Sequence, residues 1–89
     1  MEREQLQRAS DELREASELT DGALRERLVE QSEQLTDLAN RERGPDHGRL
    51  DRHLNVLRDI AAQLDGEAKA HVESASEAIT DYRSGVAGV

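Results

Sequence analysis

A shift of 44 positions lays this chain onto itself. Leu6 falls on Leu50, Arg8 on Arg52, Leu13-Arg14-Glu15 on Leu57-Arg58-Asp59, and Asp21-Gly22 on Asp65-Gly66. Ser32-Glu33 then falls on Ser76-Glu77, and Leu35-Thr36-Asp37-Leu38 on Ile79-Thr80-Asp81-Tyr82. Eleven of the 45 aligned pairs are identical, against roughly four expected for unrelated helical sequences of this composition. Most other apolar positions exchange for similar residues. The chain therefore reads as one helical unit written twice, and each copy must cover its apolar face with the other.

The apolar positions set the type of unit. They run Leu6, Ala9, Leu13, Ala16, then Leu24, Leu28, Leu35, Leu38. The second half runs Leu50, Leu54, Leu57, Ala61, Leu64, then Ala68, Val72, Ala75, Ile79, Tyr82. Spacings of three and four mark amphipathic helices. No segment alternates with period two and β-branched residues are sparse, so strands are not expected.

The sharpest break is Gly44-Pro45-Asp46-His47-Gly48. Gly44 suits the left-handed position after a helix, with Arg41 and Arg43 in the last turn before it. Asp46 suits the cap of the next helix. The C-terminal Ser84-Gly85-Val86-Ala87-Gly88-Val89 is expected to fray.

The two Asp-Gly pairs admit two readings. If Asp21 and Asp65 are N-caps, each followed four residues on by a cation (Arg25, Lys69), each repeat is a helical hairpin. The fold is then a single all-α domain spanning 1–89, an antiparallel four-helix bundle. Its helices cover about 2–19, 22–43, 47–64 and 66–83, with repeats of about 2–43 and 46–84. Alternatively, the apolar stripe continues through Gly66, where an internal glycine costs only about 1 kcal/mol. Two long helices would then form one antiparallel hairpin that dimerises to cover its stripe. Recurrence of Asp-Gly at equivalent positions favours turns, and hence four helices.

Composition limits the function classes. Leu, Ile, Val and Phe make up about a fifth of the 89 residues, near the lower edge for a self-sufficient core. So thin a core is expected to recruit a second copy, and the expected partner is a homodimer. The absence of cysteine excludes disulfides and thiolate metal sites. No apolar run has the length of a membrane span, and no signal-peptide pattern is present, so the expected location is the cytoplasm. The net charge of -8 repels a phosphate backbone and argues against non-specific nucleic-acid binding. Eleven arginines stand against a single lysine, Lys69. With the acidic excess and few bulky aliphatics, this reads as a surface adapted to high salt.

Candidate sites are few. His47, Asp51 and His53 gather near the central break, and such side chains ligate zinc. His47 and His53 lie six apart, however, on different faces of a helix, and Leu50 and Leu54 claim the inner face. Solvated histidines at a helix start are the better reading; no metal and no cofactor are expected. Residues 41–58 are locally basic, with Arg41, Arg43, Arg49, Arg52 and Arg58 against Glu42, Asp46 and Asp51. His47, Arg49, Arg52 and His53 are accordingly the candidates for contact with an anion or a partner's carboxylate. The bland alternative is helix-dipole compensation with local ion pairs. Val56, His53 and Ile60 lie beside the main stripe of the third helix and widen its apolar face, as Val29 does on the second. Val56 and Ile60 are either core or a dimer seam. The serines lack a base at helical spacing apart from neighbours of His71, and no glycine-rich phosphate loop occurs, so no catalytic residues are expected.

The run from Arg43 to His53, Arg-Gly-Pro-Asp-His-Gly-Arg-Leu-Asp-Arg-His, resembles a small acidic helical family of unknown function from halophilic archaea. The resemblance spans nearly the whole chain, through Tyr82-Arg83 and a Gly-Val tail. It implies a haloarchaeal cytoplasmic protein and carries over no catalytic residue. The expectation from sequence is a non-enzymatic interaction or scaffold protein that self-associates. The alternative is an anion- or nucleotide-binding regulatory module centred on 41–58.

Overall fold

The computed structural model describes residues 2–40 and 47–86. They form four helices: α1 (Glu2–Glu18), α2 (Gly22–Asn40), α3 (His47–Ala61) and α4 (Gly66–Val86). No strand occurs among the described residues. The molecule is an elongated bundle of about 38 × 20 × 20 Å. Four helices of two hairpins, not two long ones, is the architecture.

Both Asp-Gly pairs are turns, and they are the same turn. In the first, the Leu19 amide donates to the Ala16 carbonyl and Thr20 to Ser17; in the second, Gln63 donates to Ile60 and Leu64 to Ala61. The next helix opens identically: Arg25 N–H donates to the Asp21 carbonyl, and Lys69 N–H to the Asp65 carbonyl. Each Asp thus acts as the residue whose carbonyl takes the first helical hydrogen bond. Gly22 and Gly66 sit at φ +64° and +59°, the left-handed region that a Cβ disfavours. That requirement explains why Gly recurs at both positions.

Some boundaries differ from the sequence reading. α3 stops at Ala61, not near Leu64, because Ala62 and Gln63 belong to the turn. α4 continues through Ser84 and Gly85 to Val86 rather than fraying after Arg83. The proposed roles of Gly44 and Asp46, and the end of α2 beyond Asn40, lie outside the described residues.

Leu6, Ala9, Leu13, Ala16, Leu28, Leu35, Leu50, Leu57, Ile60, Val72, Ala75 and Ile79 form the fully buried centre, and Leu24, Leu54, Val56, Ala61 and Leu64 pack at its margin. Most of the stripe read from sequence is the core, but on α3 the buried line runs through Leu50, His53, Leu57 and Ile60 rather than through Leu54 and Ala61. Ile60 is fully buried within a single chain, so it belongs to the bundle interior and not to a seam with a second copy.

The four helices do not close evenly. α1 packs along both α2 and α4, and α3 packs against α4, whereas among the described residues α2 and α3 come together far less. At the 44-residue offset α1 aligns with α3 and α2 with α4, so the α1/α4 and α3/α2 seams occupy matching places. One is closely packed and the other is bridged mainly by side chains.

Candidate functional site

The open seam is where the sequence candidates gather. Side-chain bridges cross it. Arg27 Nη2 of α2 donates to Asp59 Oδ2 of α3 at 3.2 Å. About one helical turn further along, His53 Nδ1 lies 2.6 Å from Gln31 Oε1. Beside these bridges a cleft of about 260 Å³ lies between the two helices. Gln31, Gln34, Asp37 and Leu38 line it from α2, and Arg49, Arg52, His53 and Val56 from α3. This is near the lower end of small-ligand pockets.

The closed seam explains why the cleft exists. At the 44-residue offset, His53 corresponds to Ala9, Gln31 to Ala75 and Gln34 to Ala78. All three alanines are buried. Small side chains let helix axes approach toward 8 Å, whereas long ones hold them near 10 Å. The His53–Gln31 pair therefore wedges α2 and α3 apart where alanines occupy the α1/α4 side. Leu38 replaces the buried Tyr82, removing bulk that would fill the space.

His53 is not a solvated histidine. It is 6% exposed, and the inner face of α3 is shared by Leu50, His53, Leu57 and Ile60, with Leu54 displaced to the half-buried margin. Because Gln31 Oε1 only accepts, the neutral ring donates from Nδ1 and keeps a lone pair on Nε2. Burial, then Arg49 and then Arg52, hold the His53 pKa below its ordinary value of 6.5. Two effects act together: desolvation disfavours the imidazolium, and two guanidiniums repel it.

Of the other candidates, Arg49 and Arg52 are exposed at the cleft and Val56 is half-buried there. Among the described residues Arg52 makes no ion pair, while Arg49 does have an interacting partner. His47 begins α3, but its side chain lies outside the described residues. Asp51 turns away from the cleft and pairs with Arg83 of α4. No group of three or more His, Asp or Glu among the described residues is arranged to hold a metal ion.

Sequence reasoning passed over Gln31, Gln34 and Asp37, which look like ordinary polar-face residues of the second helix. The usable signal was the repeat itself. Three alanines in one seam stand opposite two glutamines and a histidine in the other, an exchange that core packing alone does not favour. It also passed over His71. Its Nδ1 lies 2.9 Å from Glu12 Oε2 and its Nε2 3.5 Å from Glu15 Oε2, which ties α4 to α1. The hydrogen bond to Glu12 is the largest of the causes that raise its pKa above 6.5. The His71–Glu15 contact is the repeat equivalent of Arg27–Asp59.

Fold and site together define a small all-α module with a polar, arginine-edged cleft at one helix seam. Residues 1–85 match the family described as a family of unknown function (DUF7553), and the chain belongs to that family. No curated protein and no solved structure matches it. No helix among the described residues is long and apolar enough to cross a membrane.

Proposed function

We propose that the protein is a non-enzymatic binding module that takes an oxyanion, a phosphate or carboxylate group, into the α2/α3 cleft. One observation carries this reading: the cleft differs from its sister seam in the direction an anion requires. Arg49 stands where the other seam has Gln5, and Val56 where it has Glu12, while Arg52 matches Arg8 and Asp37 matches Asp81. The site is thus two charges more positive, one gained and one acid lost, within a chain of net charge -8. His53, Gln31 and Gln34 add hydrogen-bonding groups in place of three alanines. A polar lining is less favourable than a packed apolar one unless something satisfies it. Guanidinium forks bind oxyanions with charge-assisted, often paired hydrogen bonds.

Calorimetric or thermal-shift titration with sulfate, phosphate and nucleotides tests this, run at constant ionic strength against chloride. Saturable stabilisation that is lost in Arg52→Gln is the expected result. A response no larger than that to chloride removes the proposal.

A self-associating scaffold is the second reading, favoured by Val56 at the mouth of the cleft. The apolar surface available to it is limited, since Leu19 is the one large hydrophobic side chain exposed among the described residues. Sedimentation across salt concentrations decides: a concentration-dependent dimer that Val56→Lys abolishes supports it.

The acidic, lysine-poor composition further supports a high-salt setting, and the resemblance noted above adds a halophilic archaeal source and a cytoplasmic location to this reading. Glu26, Glu30, Glu33 and Asp37 are all exposed along α2. Like charges at this spacing each oppose the helix by a few tenths of a kcal/mol at low salt, and screening to about 3 Å near 1 M salt relieves them. Helical circular dichroism should rise from low salt to about 2 M KCl. Equal helicity and cooperativity without salt would refute the adaptation.

A further inference from the structure

We propose that the α2/α3 cleft takes up its oxyanion together with a proton, and that His53 is the residue that receives it. The inference rests on the oxyanion reading above and adds the regulation of that site.

Geometry carries the argument. His53 is buried at the base of the cleft, its Nδ1–H committed to Gln31 Oε1 at 2.6 Å. The remaining ring nitrogen, Nε2, is therefore the atom that gains or loses a proton. As a lone pair it repels an oxyanion; as N–H it donates to one. Among the described residues the charged groups lining the cleft with it are Arg49 and Arg52 on its own helix and Asp37 on α2 across the cleft. On α4, which packs against the other side of α3, Arg83 is occupied by Asp51. Without an anion beside them the two guanidiniums disfavour an imidazolium. An oxyanion placed against those guanidiniums reverses the balance, because it cancels the repulsion and offers the new N–H an acceptor. Binding then raises the proton affinity of His53. By linkage, protonating His53 tightens binding by the same factor. No such coupling exists in the sister seam, where Ala9 occupies the equivalent position.

Sulfate is the probe of choice, because it stays a dianion throughout the range in which histidine titrates, whereas phosphate itself titrates there. Calorimetry in buffers of different ionisation enthalpy counts the protons taken up per sulfate bound. Uptake approaching one proton per sulfate is expected, with affinity rising several-fold from about pH 8 to about pH 6. In His53→Gln sulfate should bind more weakly at about pH 6, with the pH dependence flattened and proton uptake abolished; in His71→Gln both the pH dependence and the uptake should persist. Nuclear magnetic resonance of the wild-type His53 ring supplies a measurement independent of any variant's folding: sulfate should shift its titration to higher pH. Sulfate binding without proton uptake, or uptake that survives in a folded His53→Gln, overturns this inference and leaves the oxyanion reading standing. Failure of both sulfate and phosphate to bind down to about pH 5.5 overturns both.

Discussion

The α1/α4 and α2/α3 seams occupy matching positions at the 44-residue offset, yet one is packed and the other holds a cleft. Their turns, caps and central leucines agree almost bond for bond, so the backbone plan is not the source of the difference. It lies in a handful of side chains: Ala9, Ala75 and Ala78 on one side, His53, Gln31 and Gln34 on the other. The hairpins themselves differ in the same way. In the first, Ser10 Oγ donates to the Ser32 carbonyl at 2.7 Å and lies 2.7 Å from Thr36 Oγ1, drawing α1 onto α2. In the second, Leu54 takes the place of Ser10, and Thr80 bonds instead to Ser76 of its own helix. Repetition supplies a frame that folds twice, and a few substitutions free one seam of it for another use.

The strongest test installs the wedge in the closed seam. Ala75→Gln, alone or with Ala9→His, should destabilise the bundle by about 1–3 kcal/mol for each overpacked position. The reverse change, Gln31→Ala with His53→Ala, should alter stability much less or raise it, since both partners of one hydrogen bond are removed together. Denaturant midpoints measure both, and comparable losses in the two directions would mean that these residues do not set the spacing.

The glycines test whether the turns are as alike as they look. A Cβ at Gly22 or Gly66 meets no atom within 4 Å, so any penalty is one of backbone conformation alone. Gly22→Ala and Gly66→Ala should each destabilise by about 1–2 kcal/mol, and by similar amounts. Stabilisation by either would mean a continuous helix at that position.

A subtler contrast is in pH. His71, with its pKa raised by Glu12, contributes stability fully present below the unfolded value of 6.5 and lost as pH rises through its folded value. His53, with its pKa lowered, acts oppositely: the unfolded chain gains a proton that the fold resists, so stability falls as pH drops below 6.5. Melting temperatures across pH should therefore lose their alkaline slope in His71→Gln and part of their acid slope in His53→Gln. Identical profiles for the two variants would erase the distinction between the seams. The smallest effect belongs to Arg27→Gln, which breaks a pair that is 41% and 64% exposed. It should change stability by less than about 1 kcal/mol.

Much of this was legible before any coordinates. Helical spacing located the four segments, and the recurrence of Asp-Gly identified two turns, because only glycine adopts the left-handed backbone without penalty. The leucine stripes identified the core. Arg49, Arg52 and His53 were legible as a group, though not as one wall of a cleft with Gln31, Gln34 and Asp37 opposite. His53 looked solvated because its neighbours Leu50 and Leu54 both seemed to claim the interior. Ile60 looked available to a partner because a wide apolar face reads the same whether a neighbouring helix or a second chain covers it.

The duplicated sequence by itself determined the unit, its turns and its helical period, since these follow from local backbone preference and from the side chains each helix must hide. Which seam closes and which opens was decided only in the tertiary structure. Interhelical distance depends on the combined bulk and hydrogen bonding of residues more than twenty positions apart, such as His53 and Gln31. No local rule sums those contributions until the helices meet.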